Sequence, residues 1–243
     1  MSPKIHAFAL CWNEERFLPY FLRHYSSFCE RITIWDNEST DRSVEIASSV
    51  PGVHVVPYAT GGEVRDDVWL EFKNTCWQDS RDADWVMVVD IDEIVYHPQL
   101  SEYLTDCRSR GITLPWTTGF EMVTKQFPIG GGQIYEEVVV GVQDNWYSKP
   151  AVFDPQAIEE INYVPGAHSC APTGRVVEER SPELKLLHYR FLGMDYVLDR
   201  FEGRRRRQSA INAQRGWSTH FQKKPRELKR WYRDVAKRAE PVL

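Results

Sequence analysis

The chain has 243 residues, 42% hydrophobic and 27% charged, a globular balance that excludes a disordered or low-complexity polymer. No run approaches the roughly 18 apolar residues a membrane helix needs, and five scattered cysteines without a CxxC pair argue against a disulfide frame or a zinc site. The net charge of −5 is uneven: residues 200–243 hold fourteen Arg/Lys against four Asp/Glu, the first 199 residues sixteen against thirty-one. A basic segment on an acidic body suggests an anionic partner (a diphosphate, a lipid surface or nucleic acid), or else a solvated helix face. Met1–His6 has none of the features of a signal peptide, so the expectation is a cytoplasmic protein, with peripheral contact at the inner membrane face through the basic segment as an option.

Along the chain, Ile5–Cys11 is a short apolar run of strand length, after which Phe17, Leu18, Phe21, Leu22 and Tyr25 recur at helical spacing. Arg31–Trp35 reads as a second strand, followed by a turn rich in helix-capping residues (residues 36–41) and a short helix at Val44–Ala47. Val53–Pro57 is a third strand, Val64–Gln78 a helix, and Trp85–Val89 a fourth strand with no polar alternation, the pattern of a central parallel strand buried on both faces. Strands alternating with helices imply βαβ units and a parallel sheet. Beyond residue 110 the rhythm changes to strand-like runs at 112–117, 138–142, 149–153 and 184–189, divided by Gly130–Gly132 and proline-bearing turns. From Met194 the chain reads as helical and basic. The expected fold class is therefore α/β: a three-layer, Rossmann-like domain with a mostly parallel central sheet and a basic helical C-terminal segment. Within one domain over 1–243, the expected parts are a nucleotide-binding half (1–110), an acceptor-facing half (111–199) and the basic tail (200–243).

In an open parallel sheet, ligands bind beyond the carboxyl ends of the strands. Three acidic clusters fall there: Glu14-Glu15 after the first strand, Asp36 at the end of the second, and Asp90-Ile91-Asp92-Glu93 after the fourth. Each alone could cap a helix, but converging carboxylates repel and call for a cation or a hydrogen-bonding ligand. Two Asp one residue apart, leaving an apolar strand, suit Mn²⁺ or Mg²⁺, which would in turn hold diphosphate oxygens.

Trp12-Asn13-Glu14-Glu15, residues 34–41 (IWDNESTD), and Asp84-Trp85 leading to Asp90-Ile91-Asp92-Glu93 together resemble the GT-A-fold glycosyltransferases of the family 2 type, in order and separation as well as in residue type. Weaker echoes occur at Lys149-Pro150, residues 165–168, Leu187-His188-Tyr189 and Gly216-Trp217. The resemblance implies a metal-dependent hexosyltransferase that moves a sugar from a UDP- or GDP-sugar to a glycan, lipid-linked or other hydroxyl acceptor. It implies that Trp12, Asn13, Glu14 and Asp36 lie near the nucleoside, Asp90 and Asp92 at the ribose, diphosphate and metal, and Arg65 and Asp66 near the sugar or diphosphate. His188 is similar to the late histidine that completes the metal shell in such enzymes; His168 and His220 are further candidates.

An inverting transferase needs a base within reach of the acceptor hydroxyl. The Glu-Asp pair usual in such enzymes is missing, which leaves Glu121, Glu136, Glu137 and His168, with Glu137 and His168 preferred. Of the run Arg204–Arg207 a helix can turn only one or two side chains to one ligand, and Arg206 is the expected diphosphate contact, with Gly203 and Gly216 as hinges for closure over the donor. Two other readings stand beside this one. VMVVDIDE also resembles the strand end of haloacid-dehalogenase-like phosphohydrolases, and the tail could serve a nucleic-acid or membrane-surface binding module, which the acidic body disfavours for nucleic acid.

Overall fold

The computed structural model describes residues 2–243. In chain order, β1 (Ile5–Cys11), α1 (Leu18–Tyr25), β2 (Arg31–Asp36), α2 (Ser43–Ser48), β3 (Val53–Pro57), α3 (Asp66–Thr75) and β4 (Trp85–Asp90) form the alternating first half. β5 (Glu93–Tyr96), α4 (Leu100–Ser109), β6 (Leu114–Thr124), α5 (Ile134–Glu137), β7 (Val140–Gln143), β8 (Val152–Phe153), β9 (Ile158–Glu160), β10 (Thr173–Gly174) and β11 (Glu178–Leu192) follow. The chain closes with α6 (Met194–Arg206), α7 (Ala210–Arg215), α8 (Pro225–Arg238) and β12 (Glu240–Pro241).

The first sheet has the order β3-β2-β1-β4-β8, with four parallel strands and only β8 antiparallel, as the alternation of strand and helix implies. β4 shows why its sequence lacks polar alternation. Side chains on a strand alternate between faces, and both sets are apolar and buried. Trp85, Met87 and Val89 join the core built on α1, with Phe17, Leu18, Phe21 and Tyr25, while Val86 and Val88 join a second core with Trp77, Phe153 and Tyr163. Each such side chain contributes about 1.5–3 kcal/mol by leaving water.

The second half is a mixed sheet of order β12-β7-β6-β11-β5, antiparallel except for the long β6–β11 pair, in keeping with the mixed or antiparallel rhythm expected there. β11 runs far beyond the expected 184–189, because its outer part is polar and residues 178–180 pair with β6 through the backbone, ahead of a register shift between Arg180 and Lys185. α4 was not expected; its apolar positions, Leu100, Leu104 and Cys107, are few among charges. Met122 of β6 and Leu184, Leu186 and Tyr189 of β11 pack into the same core as α1, so the two sheets share one interior. Gly119 of β6 lies under the short helical turn at Asn145–Tyr147, where an added Cβ would meet the Tyr147 backbone at 2.1 Å. That close approach sets the height at which Trp146 and Tyr147 stand beside the cleft.

α6 packs Val197 and Phe201 with Phe191 of β11 and with Phe221, Leu228 and Val235 in a third core. The tail is thereby fastened to the body, and residues 207–208 add to this by pairing with Val64. Gly203 is no hinge. It sits inside α6, where a Cβ would come within 2.8 Å of the Trp12 ring, so its lack of a side chain lets helix and ring approach. Gly216, at φ 68°, is the left-handed cap that ends α7. All five cysteines are free, and no helix among the described residues is long and apolar enough to cross a membrane.

Candidate functional site

A cleft of about 730 Å³ opens at the carboxyl ends of β1 and β4 and is closed on its far side by α6 and the segment that follows it. Of the residues expected there, Trp12, Asp66, Asp90, Asp92, His168 and His188 line it, as does His220. The first strand's polar end does not reach it beyond Trp12. Asn13, left-handed at φ 50°, exchanges hydrogen bonds with Thr40 and ties the β1 and β2 turns together. Glu14 is buried beneath the cleft and binds Arg200 at 2.5 Å and Arg204 at 3.2 Å, so it holds cations rather than a nucleoside. Asp36 accepts from the Ser39 amide through Oδ2, and its Oδ1 is buried without a partner. Asp36 thus stands at the strand-end edge beside the cleft and not in its lining, and its unsatisfied oxygen costs free energy there.

Besides Asn13, Glu14 and Asp36, three more expected site residues lie outside the cleft lining. Arg65 is spent on a two-pronged pair with Asp67, at 2.9 and 2.8 Å, at the start of α3. Arg206 points away from the cleft, 76% exposed and paired with Glu202 one turn back. Glu137 accepts from the Gly130 amide and the Tyr20 hydroxyl, closing a loop over α1, and is not a base for this cleft. Among the other base candidates, Glu136 caps α5, and Glu121 lies buried beneath His188.

Sequence reasoning missed Lys73, Lys149 and Arg200 and, within the run Arg204–Arg207, chose Arg206 where Arg204 faces the cleft. Lys73 of α3 donates to Asp90 Oδ1 at 2.7 Å, and Lys149 reaches Asp90 Oδ2 at 3.4 Å while pairing closely with Glu93. Arg200 of α6 binds Asp92 Oδ2 at 2.6 Å and bridges it to Glu14. Arg204, one turn further along the same face, joins it. All four line the cleft. A signal for two of them was present, since Arg200 and Arg204 stand four residues apart beside the apolar Phe201. Arg207 is buried, lies 4.2 Å over the Trp12 ring, and donates to the carbonyl and side chain of Asn37, with Nη1 left unpartnered. Burial without a carboxylate partner pushes it down to about 10.

The expected metal ligands Asp90, Asp92 and His188 lie on one wall but do not fit a divalent ion. Both oxygens of Asp90 face lysine ammoniums, and Asp92 Oδ2 is shared by Arg200 and His188. His188 lies between Asp92 at 3.2 Å and Glu121 at 3.0 Å. Burial opposes its charged form, but Glu121 and Asp92 outweigh burial and push it up to about 9, so the ring sits between two carboxylates, although Nδ1 makes no aligned hydrogen bond. Among the described residues no group of three or more His, Cys, Asp or Glu side chains could hold a metal ion.

The same sandwich makes His188 a pH-dependent clamp. Its folded-state value is raised above the ordinary 6.5, so its contribution is fully present below that value and is lost as pH rises through about 9. Roughly two and a half units correspond to about 3 kcal/mol. Urea unfolding between pH 6 and 9.5 should show that loss in the parent chain and a flatter profile in His188→Gln. Equal slopes in the two would mean the imidazole is not charged in the fold.

His168 has the opposite character. Burial, followed by Lys149 and Lys73, lowers it to about 3, and its ring stacks 4.4 Å from Trp146, itself 63% exposed at the cleft. Asp144, on the same wall, accepts from the Trp146 amide.

No protein-family model and no curated protein matches the chain. Among solved structures it is similar to S. aureus TarS, at 11% identity and TM-score 0.47 over 76% of this chain and 36% of that one. It is similar also to TarS 1–349 in complex with UDP-GlcNAc, at 10% identity and TM-score 0.43 over 82% and 64%. A third is glucosyl-3-phosphoglycerate synthase from Mycobacterium tuberculosis in complex with Mn²⁺, UDP and glucosyl-3-phosphoglycerate, at 19% and 0.35 over 55% and 47%. The chain spans less than two thirds of the length of each, and likeness at these scores assigns neither donor nor acceptor to it.

Proposed function

We propose that the chain is a glycosyltransferase that takes a sugar from a nucleoside-diphosphate sugar and passes it to a hydroxyl acceptor. One observation carries the reading: a cleft at the carboxyl ends of parallel strands brings the strand-end carboxylates Asp90 and Asp92 together with Lys73, Lys149, Arg200 and Arg204. Such an edge is where an open α/β sheet binds its ligand, and a row of lysines and arginines is what a diphosphate needs. The motif order around Trp12, Asp36 and Asp90 supports the same reading. The phosphohydrolase alternative requires the Asp-x-Asp strand to come first, whereas β4 follows three strands of its sheet.

In this reading Asp36 accepts from the nucleoside, and Trp12 offers an apolar edge beside it. The acceptor enters along Trp146, whose exposed ring suits the flat face of a sugar. His168, uncharged above about pH 3, orients the attacking hydroxyl by accepting its hydrogen bond. An imidazole so hard to protonate takes a proton poorly, so the base role passes to Asp144 on the same wall. The expected Mn²⁺ or Mg²⁺ finds its ligands engaged by the chain's own cations, and the charge of the departing diphosphate falls on those cations.

The test is thermal unfolding in the presence of uridine, guanosine, adenosine and cytidine diphosphates and their sugar conjugates. A diphosphate at a hundredfold excess over its dissociation constant should stabilise the fold by about 2.7 kcal/mol, and Asp36→Ala should weaken that effect. Failure of every nucleoside diphosphate to raise the midpoint would end the reading.

A further inference from the structure

We propose that the chain holds its donor's diphosphate with N–H groups of Lys73, Lys149, Arg200 and Arg204 and requires no divalent ion to bind it. The inference rests on the reading of the cleft as a nucleotide-sugar site and concerns what supplies the positive charge there.

Four carboxylates and four cations meet at the cleft floor. Asp90 and Glu93 hold Lys149, Asp90 also holds Lys73, and Asp92 and Glu14 hold Arg200, with Arg204 on Glu14. Each of these four carboxylates is therefore offset by a cation before any ligand arrives. A hard divalent ion would need carboxylate oxygens at about 2.0–2.2 Å with their lone pairs free. Here both oxygens of Asp90 and Oδ2 of Asp92 face N–H groups, and an ion placed among them would stand against Lys73 and Arg200 at short range. Admitting it means breaking the Lys73–Asp90 and Arg200–Asp92 pairs together.

The cations themselves are not exhausted by their partners. An ammonium has three N–H groups and a guanidinium five. Lys73 uses one on Asp90, and Arg204 uses one on Glu14, while both face the cleft. The remaining donors have no carboxylate and suit the oxygens of a diphosphate. The acidic residues then have a definite task. They keep four positive groups ordered while the cleft is empty, so little rearrangement is needed when phosphate arrives. Lys73, on the rigid α3, and Arg200 and Arg204, both on α6, approach from two sides of the floor. A two-sided clamp of this kind grips a bent diphosphate without a bridging ion.

Calorimetry with inorganic pyrophosphate, uridine diphosphate and guanosine diphosphate tests this, each titrated into the intact chain in excess EDTA and again with Mn²⁺. Binding in EDTA within about twofold of that in Mn²⁺ is expected. Lys73→Met should weaken pyrophosphate about ten- to a hundredfold, the effect of losing a charge-assisted bond, and Lys73→Arg should recover most of it. Paramagnetic resonance of Mn²⁺ with the chain should show only the free hydrated ion. Binding that appears solely with Mn²⁺, or a bound Mn²⁺ signal in the absence of nucleotide, overturns the inference and leaves the transferase reading standing. Absence of binding in both series overturns the two together. A Lys73→Met chain that binds pyrophosphate as the parent does also overturns the inference, and circular dichroism of that variant shows whether it is folded.

Discussion

Lys149→Met is expected to destabilise the fold by about 3–5 kcal/mol, the range for removing one partner of a buried ion pair. The ammonium and the Glu93 carboxylate are both almost completely buried, 5% and 1% exposed, and are in close contact. Burial alone would make the lysine shed its proton, but Glu93 and then Asp90 hold it well above its ordinary value. Without the ammonium, Glu93 stays inside the protein with the Asp90 amide as its remaining recorded donor. The double variant Lys149→Met/Glu93→Gln removes both charges and should recover most of the loss, because apolar or neutral groups of similar volume can replace a buried pair at little cost. Urea unfolding of the two singles and the double completes the cycle. A single variant within about 1 kcal/mol of the parent, or a double no better than the single, would contradict the buried pairing.

Asp92→Asn is expected to have the other large effect, again about 3–5 kcal/mol, because two cations depend on one carboxylate. Arg200 and His188 both contact Asp92 Oδ2, and the group is 8% exposed. Burial opposes its charged form, but Arg200 and His188 outweigh burial and hold the carboxyl well below the usual range. Asparagine keeps the volume and removes the charge. The imidazolium would retain Glu121 alone, and its pKa should fall, which nuclear resonance of the His188 ring can follow directly. Arg200 would retain Glu14, so α6 should stay docked while its grip on the floor loosens. Unchanged stability together with an unchanged His188 titration would show that the Asp92 cluster is looser than its distances imply.

The first half of the chain was legible because its signals are local. Alternation of apolar strands with helical spacing placed β1 to β4, and strand-end chemistry placed Asp36, Asp90 and Asp92 at one edge. α3 and α1 fell within two or three residues of their expected bounds. α4 escaped notice because a helix with only three buried apolar positions has a weak period. The extent of β11 escaped for a related reason, since backbone pairing with β6 leaves no hydrophobic mark at 178–180.

The site divides along the same line. The sequence by itself determined that carboxylates would gather beyond the parallel strands, because strand direction and βαβ connection oblige their ends to share an edge. The tertiary structure alone decided what those carboxylates do. Their partners stand 17, 59 and 108 residues away for Lys73, Lys149 and Arg200. Coulomb attraction depends on distance through space and on the depth of burial, neither of which is written in spacing along the chain. The same holds for the tail, where composition showed a basic run but helical phase and docking against Phe191 and Val123 selected which arginines turn inward. Arg200 and Arg204 share the face beside Phe201, and Arg206, six positions after Arg200, is carried round to solvent by the 3.6-residue period.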